Sequence, residues 1–199
     1  PISLFGDEID VGYHAWSLIT TGRDYMGNLL PTYIQSLAEW RAPLLMYVTA
    51  PFIKFLGPTP LAVRLPVALL GVLNIYLIYL LTNQLFSQGK GRTLTGGVLN
   101  DGLGSVANGR SNLIGLLTAF VLAISPWHIH FSRGAWEVNV CTTFLLFAIY
   151  FLLKSLKNRK YFIPWVLLSF STVLIYQGAK MLTPLVFVTL FVIYFPQVK

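Results

Sequence analysis

The sequence predicts an all-α, polytopic transmembrane helix bundle, and three observations predict it. Hydrophobic residues make up 55% of the 199 and charged residues only 11%, whereas soluble domains carry about 25% charge. Apolar runs near the roughly 20 residues that a bilayer span requires recur along the chain. The charges collect between those runs, basic in some loops and acidic in others, as membrane proteins sort them. Aromatic residues, at 15%, suit side chains anchored at headgroup level.

The formal net charge of +7 lies in short loops rather than along one stripe. That distribution argues against nucleic acid and for membrane lipids as partners. Cys141 is the single cysteine, so no internal disulfide forms. The chain opens at Pro1 without a methionine and stops at Lys199 just after an apolar run, so the sequence reads as a piece of a longer protein.

Taken in order, residues 1–60 form a loop with interfacial helices, and residues 61–199 form about five transmembrane helices of one membrane domain. Within the loop, Asp7–Gly22 reads as a helix. Asp7, Asp10, His14, Ser17 and Thr21 recur at spacings of three and four and make a polar stripe. Val11, Ala15 and Leu18 make an apolar stripe, flanked by Ile9, Tyr13 and Trp16, and Gly22 is a C-terminal stop. Such a helix lies in the interface plane, its apolar side toward lipid or protein. Ala42–Leu56 is apolar but short, a second interfacial helix.

The first span is Leu61–Phe86. Residues 87–112, rich in Gly, Ser and Asn, read as a flexible linker; their Gly-Lys-Gly-Arg-Thr run does not match the phosphate-loop pattern. Leu113–Phe131 and Ala135–Leu156 follow as spans. Residues 161–195 are too long for one span and are broken by Gln177, Gly178 and Lys180, so they read as two short helices joined by a turn near Gln177–Lys180, because a mid-membrane charge is costly. The linker carries Lys90, Arg92 and Arg110 against Asp101. The 154–160 turn carries Lys154, Lys157, Arg159 and Lys160 and no acid. Both belong to the cytoplasmic side, which puts residues 1–60 and the turns near Arg133 and Lys180 outside.

The outer stretch carries five of the seven acids: Asp7, Glu8, Asp10, Asp24 and Glu39. At the start of a helix the dipole keeps Asp7 and Glu8 ionised, and an ionised carboxylate beside water serves as a general base or holds a cation. Caps and dipole partners use the same residues in the same place. Arg64 lies in the first turns of an apolar helix and reads either as a snorkelling side chain or as a phosphate ligand. Arg133 precedes Glu137 by four residues, so one helix face would pair them. Lys180, flanked by apolar segments, is a functional candidate by its cost alone. His14 shares the stripe of Asp7 and Asp10 and is open to a metal or substrate contact. His128 and His130 diverge by about 200° on a helix and belong to an aromatic belt with Trp127 and Phe131.

The segment FGDEIDVGYHAWSLITTGRDYMGNLLP resembles the first outer loop of GT-C glycosyltransferases of the protein mannosyltransferase and aminoarabinose transferase type. The likeness runs through Asp7-Glu8, Tyr13 and Ala15, Thr21-Gly22-Arg23-Asp24, Gly27 and Pro31. It continues through Arg41-Ala42-Pro43-Leu44, Tyr47, Phe55-Leu56-Gly57, Ala62-Val63-Arg64-Leu65-Pro66 and Ala68-Leu69-Leu70-Gly71. SPWHIHFSRGAWEVN resembles the family's second outer turn, with Glu137 where aspartate is more usual. The resemblance implies a GT-C-like membrane bundle that transfers a sugar, with inversion, from a polyprenyl-phosphate donor to a protein or glycolipid acceptor on the extracytoplasmic face. It implies Asp7 and Glu8 as the catalytic carboxylates, with Asp7 activating the acceptor. Arg64, Arg133, Glu137, Lys180 and His14 are then substrate-binding residues, and a divalent cation is left open as cofactor. The contrasting reading is a transporter or lipid-handling protein, which would place its charges at mid-membrane on broken helices.

Overall fold

The computed structural model describes residues 3–36, 39–88 and 101–194. These residues are mostly helical. In chain order the elements are α1 (Gly6–Thr21), β1 (Ile34–Ser36), β2 (Glu39–Arg41), α2 (Leu44–Leu56), α3 (Pro60–Gln88), α4 (Asp101–Ile124), α5 (Pro126–Arg133), α6 (Glu137–Ser155), a 3-10 turn (Arg159–Tyr161), α7 (Phe162–Val173) and α8 (Ala179–Tyr194).

Local chemistry sets the boundaries. The Glu8 side chain accepts the Phe5 backbone N–H at 3.0 Å, which satisfies one orphan donor at the start of α1. Gly22 ends α1 in the left-handed conformation (φ 70°), its N–H donating to the Leu18 carbonyl, a position where a side chain would be strained. β1 and β2 pair antiparallel with Ile34 opposite Arg41. α4 and α5 meet at Ser125–Pro126 with a 60° bend, because proline cannot continue the preceding helix.

Among the described residues, two helices, residues 60–86 of α3 and 137–155 of α6, are long and apolar enough to cross a membrane; the bent pair of residues 110–124 and 126–133 is a third if it is one span. About five spans were expected. α7 has 12 residues and α8 has 16, each short of the roughly 20 that a span needs. The expected linker also needs correction: α4 begins at Asp101, so the C-terminal part of that stretch is helical. Its remainder, residues 89–100, lies outside the described residues. The break expected in the last apolar segment falls at residues 174–178, between α7 and α8.

Chain direction gives the helices two common ends. α3 and α6 start side by side, Arg64 and the Ala135 N–H sharing the Glu8 carboxylate, and one turn into α6 Asn139 accepts from Asn74 at 3.0 Å and donates to the Val67 carbonyl at 2.9 Å. α4 returns antiparallel along α3, with Thr118 bonded to Thr82 at 3.1 Å and His128 of α5 reaching the Gly71 carbonyl at 3.0 Å. Such polar links lock helices together where the surroundings offer no water.

The core sits at one end. Val11 and Ala15 of α1, Ile34 of β1, Leu45 and Met46 of α2, Val63 and Val67 of α3, Val140 of α6 and Ile175 in the α7–α8 turn share one buried cluster. Along the helix shafts, by contrast, large apolar side chains stay exposed, among them Val72, Tyr76, Leu116, Phe120 and Val121. A lipid environment removes the cost that water would impose on that surface.

Candidate functional site

The charged residues concentrate at the core end, where α1 packs across the starts of α3 and α6. Consecutive helix positions differ by about 100°, so Asp7 and Glu8 point to different sides of α1. Each finds its own arginine.

Glu8 faces α3. Its carboxylate is gripped by Arg64 through Nε at 2.8 Å and Nη2 at 2.6 Å, and it also accepts the Ala135 backbone N–H at 3.2 Å. It is 4% exposed. The Arg64 hydrogen bonds, aided by the Phe5 and Ala135 amides, hold its pKa below the usual carboxylate range against the opposing effect of burial. A carboxylate with this many donors is a joint between α1, α3 and the α5–α6 turn, and its lone pairs are committed. Glu8 therefore does not fit the catalytic role expected of it, and Arg64 is not a free phosphate ligand.

Asp7 faces the other way. Arg41, at the end of β2, donates to its Oδ1 at 2.6 Å and stands 3.8 Å from Glu137 at the start of α6. The Asp7 side chain is 42% exposed and that of Glu137 21%. Asp7, Trp40, Arg41, Ala42, Glu137, Ile175, Tyr176 and Gln177 line one cleft of about 190 Å³. The α7–α8 turn closes one side of it, with Gln177 donating to the Trp40 carbonyl at 3.1 Å. Burial tends to lower the Arg41 pKa, but the hydrogen bond and charge of Asp7, with the charge of Glu137, raise it above the ordinary value. The site therefore presents a half-exposed carboxylate pinned by a permanent cation, with a second carboxylate across it.

Other expected site residues lie elsewhere. His14 is fully buried. It stacks on Tyr25 at 4.0 Å and sits 3.6 Å from Asp10, behind the cleft rather than in it. Burial lowers its pKa despite the nearby charges of Asp10 and Asp24, so it is neutral at pH 7. The middle of the polar stripe of α1, His14 and Ser17, thus turns inward, while the apolar Ile9, Tyr13 and Trp16 are exposed. Arg133 does not pair with Glu137: α5 ends at Arg133 and residues 134–136 break the helix, so four-residue spacing no longer places the two on one face. Arg133 instead lines a separate hollow with Glu8, Arg64, His130 and Trp136. Lys180 lies in the first turn of α8 with its ammonium 5.2 Å from the Tyr33 ring.

Arg41 is the residue that the sequence reading passed over. In the sequence it stands only within the Arg41-Ala42-Pro43-Leu44 likeness, because no local spacing ties a strand-end arginine to a carboxylate 34 positions earlier. A divalent cation does not suit this cleft. Arg41 already occupies the place between Asp7 and Glu137 that a metal would need, and among the described residues no three His, Cys, Asp or Glu side chains are placed to hold one.

Comparison with known proteins returns no matching family model, no matching curated protein and no matching solved structure.

Proposed function

We propose that the chain is part of a membrane glycosyltransferase, of GT-C-like architecture, that passes a sugar from a polyprenyl-phosphate donor to an acceptor hydroxyl with inversion. The observation that carries this reading is the Asp7–Arg41–Glu137 cleft at the end of two membrane-length helices. A lipid-linked donor keeps its chain in the bilayer and its sugar at the surface, so its reacting centre belongs at such an end. Asp7 is the general base. Arg41 fixes its orientation, and the exposed part of the carboxylate meets the acceptor hydroxyl. The hydroxyl proton becomes acidic as its oxygen bonds to the sugar, so a carboxylate of modest basicity can accept it in the transition state. The bond that breaks joins the sugar to the phosphate, which leaves on the opposite face. Glu137 accepts hydrogen bonds from the sugar or acceptor hydroxyls.

The transporter reading has less support. Arg64, near the start of α3, and Glu137 and Lys154, near the two ends of α6, are the only charges in the two long apolar helices, so no charged path runs through them. The test is a transfer assay on full-length protein in membranes with a panel of polyprenyl-phosphate sugars. The proposal expects at least one donor to give glycosylated acceptor and free polyprenyl phosphate in equal amounts. Transport of a solute without any transfer would replace it.

A further inference from the structure

The end of the molecule remote from the cleft carries a second charged feature, and nothing in the transferase reading uses it. Between α6 and α7 the chain presents Lys154, Lys157, Arg159 and Lys160 with no acid among them. The turn is ordered: the Asn158 side chain accepts the Lys160 backbone N–H at 3.1 Å and opens the 3-10 turn. Lys154 is half-buried, its ammonium 4.5 Å from the Tyr150 ring and 5.2 Å from that of Tyr161. Phe151 stacks on Tyr161 at 5.9 Å. Lys154 is thus held between two aromatic faces; Lys157, Arg159 and Lys160 are exposed, the Lys160 ammonium 5.0 Å from the Tyr161 ring, and among the described residues none of the three meets a carboxylate.

Directly after these cations, α7 exposes Phe162 (51%), Ile163 (67%) and Leu167 (62%). Phe162 and Ile163 open the helix, and Ile163 and Leu167 are four residues apart, so they share one face. A basic collar therefore borders an apolar strip, at the end of a helix long enough to cross a bilayer. We propose that the α6–α7 turn binds an anionic phospholipid. Lys157, Arg159 and Lys160 hold the headgroup phosphate, and the acyl chains lie along Phe162, Ile163 and Leu167. Lys154, held by its tyrosines, positions the turn. An anionic headgroup is preferred over a zwitterionic one because no choline or ethanolamine cation opposes the three exposed cations. Each such cation is worth on the order of 1 kcal/mol near an anionic surface, or about fivefold. This inference depends on the helices crossing a bilayer and is independent of the transferase reading.

The test is native mass spectrometry of the purified protein in detergent, offered equal amounts of phosphatidylglycerol and phosphatidylcholine with the same acyl chains. The wild type should retain phosphatidylglycerol at least about fivefold over phosphatidylcholine. The triple variant Lys157→Gln/Arg159→Gln/Lys160→Gln should fall to near parity, and Arg159→Gln alone, a milder change, should fall part of the way. Lys54→Gln, which removes an exposed cation elsewhere, should keep the wild-type preference. Excess inorganic phosphate should not displace the lipid. Equal retention by the wild type, or an undiminished preference in both the single and triple variants, overturns the proposal. Displacement by phosphate overturns it too, by showing a free-anion site.

Discussion

The Glu8–Arg64 pair offers the sharpest test of how α1 is held. The Glu8 side chain is 5% exposed and that of Arg64 25%, so water screens the pair weakly, and Glu8 also accepts two backbone amides. Removing one partner of a fully buried pair costs about 3–5 kcal/mol. Arg64 is partly solvated, which places Glu8→Gln nearer about 2–3 kcal/mol, since Gln keeps the shape and one acceptor. Arg64→Gln should cost a similar amount, because it strands a charged Glu8 against the protein. The double variant removes both charges and should cost less than the sum, with a coupling of about 1–3 kcal/mol. Unfolding of wild type, both single variants and the double variant in one detergent gives the cycle. The pair should also weaken with acid. The Glu8 pKa is lowered on folding, so its stabilisation is present above the unfolded value of about 4.5 and is lost as pH falls through the lower folded value. A coupling below about 0.5 kcal/mol would show that the contact is incidental and that α1 is anchored by its apolar core contacts alone.

Two further predictions follow from burial and chain direction. Met26 is 52% exposed beside the buried Asp24, so a membrane-impermeant thiol reagent added outside should label Met26→Cys and spare Asn158→Cys; the reverse pattern would invert the assigned orientation. The lowered His14 pKa means that the unfolded chain takes up a proton first on acidification, so stability should fall as pH drops from about 6.5 toward the folded value; His14→Gln should flatten that part of a stability–pH curve, and an unchanged slope would remove His14 as its source.

Local signals in the sequence carried much of the helix inventory. The three- and four-residue spacing over residues 7–22 located α1, and Gly22 located its end. Gln177–Gly178 located the break before α8, because the physical causes lie within a few residues of the effect. Two failures share one cause. Spacing treated Arg133 and Glu137 as one helix face, but the break at residues 134–136 separates them. Spacing treated the polar stripe of α1 as a surface, but Tyr25 packs against His14, and both His14 and Ser17 are buried. The site was legible in part: Asp7 and Glu137 were each singled out, yet what joins them is Arg41, through contacts that span 34 and 96 positions. The opposite fates of Asp7 and Glu8 follow from the 100° turn between neighbours, but which of the two would meet Arg64 depends on how α1 lies across α3, and no short window encodes that.

The measurement that bears most directly on the central claim is sugar transfer by full-length protein in membranes, wild type against Asp7→Asn. Asn keeps an oxygen for Arg41 to bond and preserves the size of the side chain, but it cannot accept the acceptor's proton. Loss of a general base costs about 10²–10⁴-fold in rate. The account predicts a fall of that order with expression, membrane insertion and retention of the lipid-linked donor unchanged. Near-normal turnover in Asp7→Asn would contradict it and leave Asp7 as a cap and ion-pair partner of Arg41.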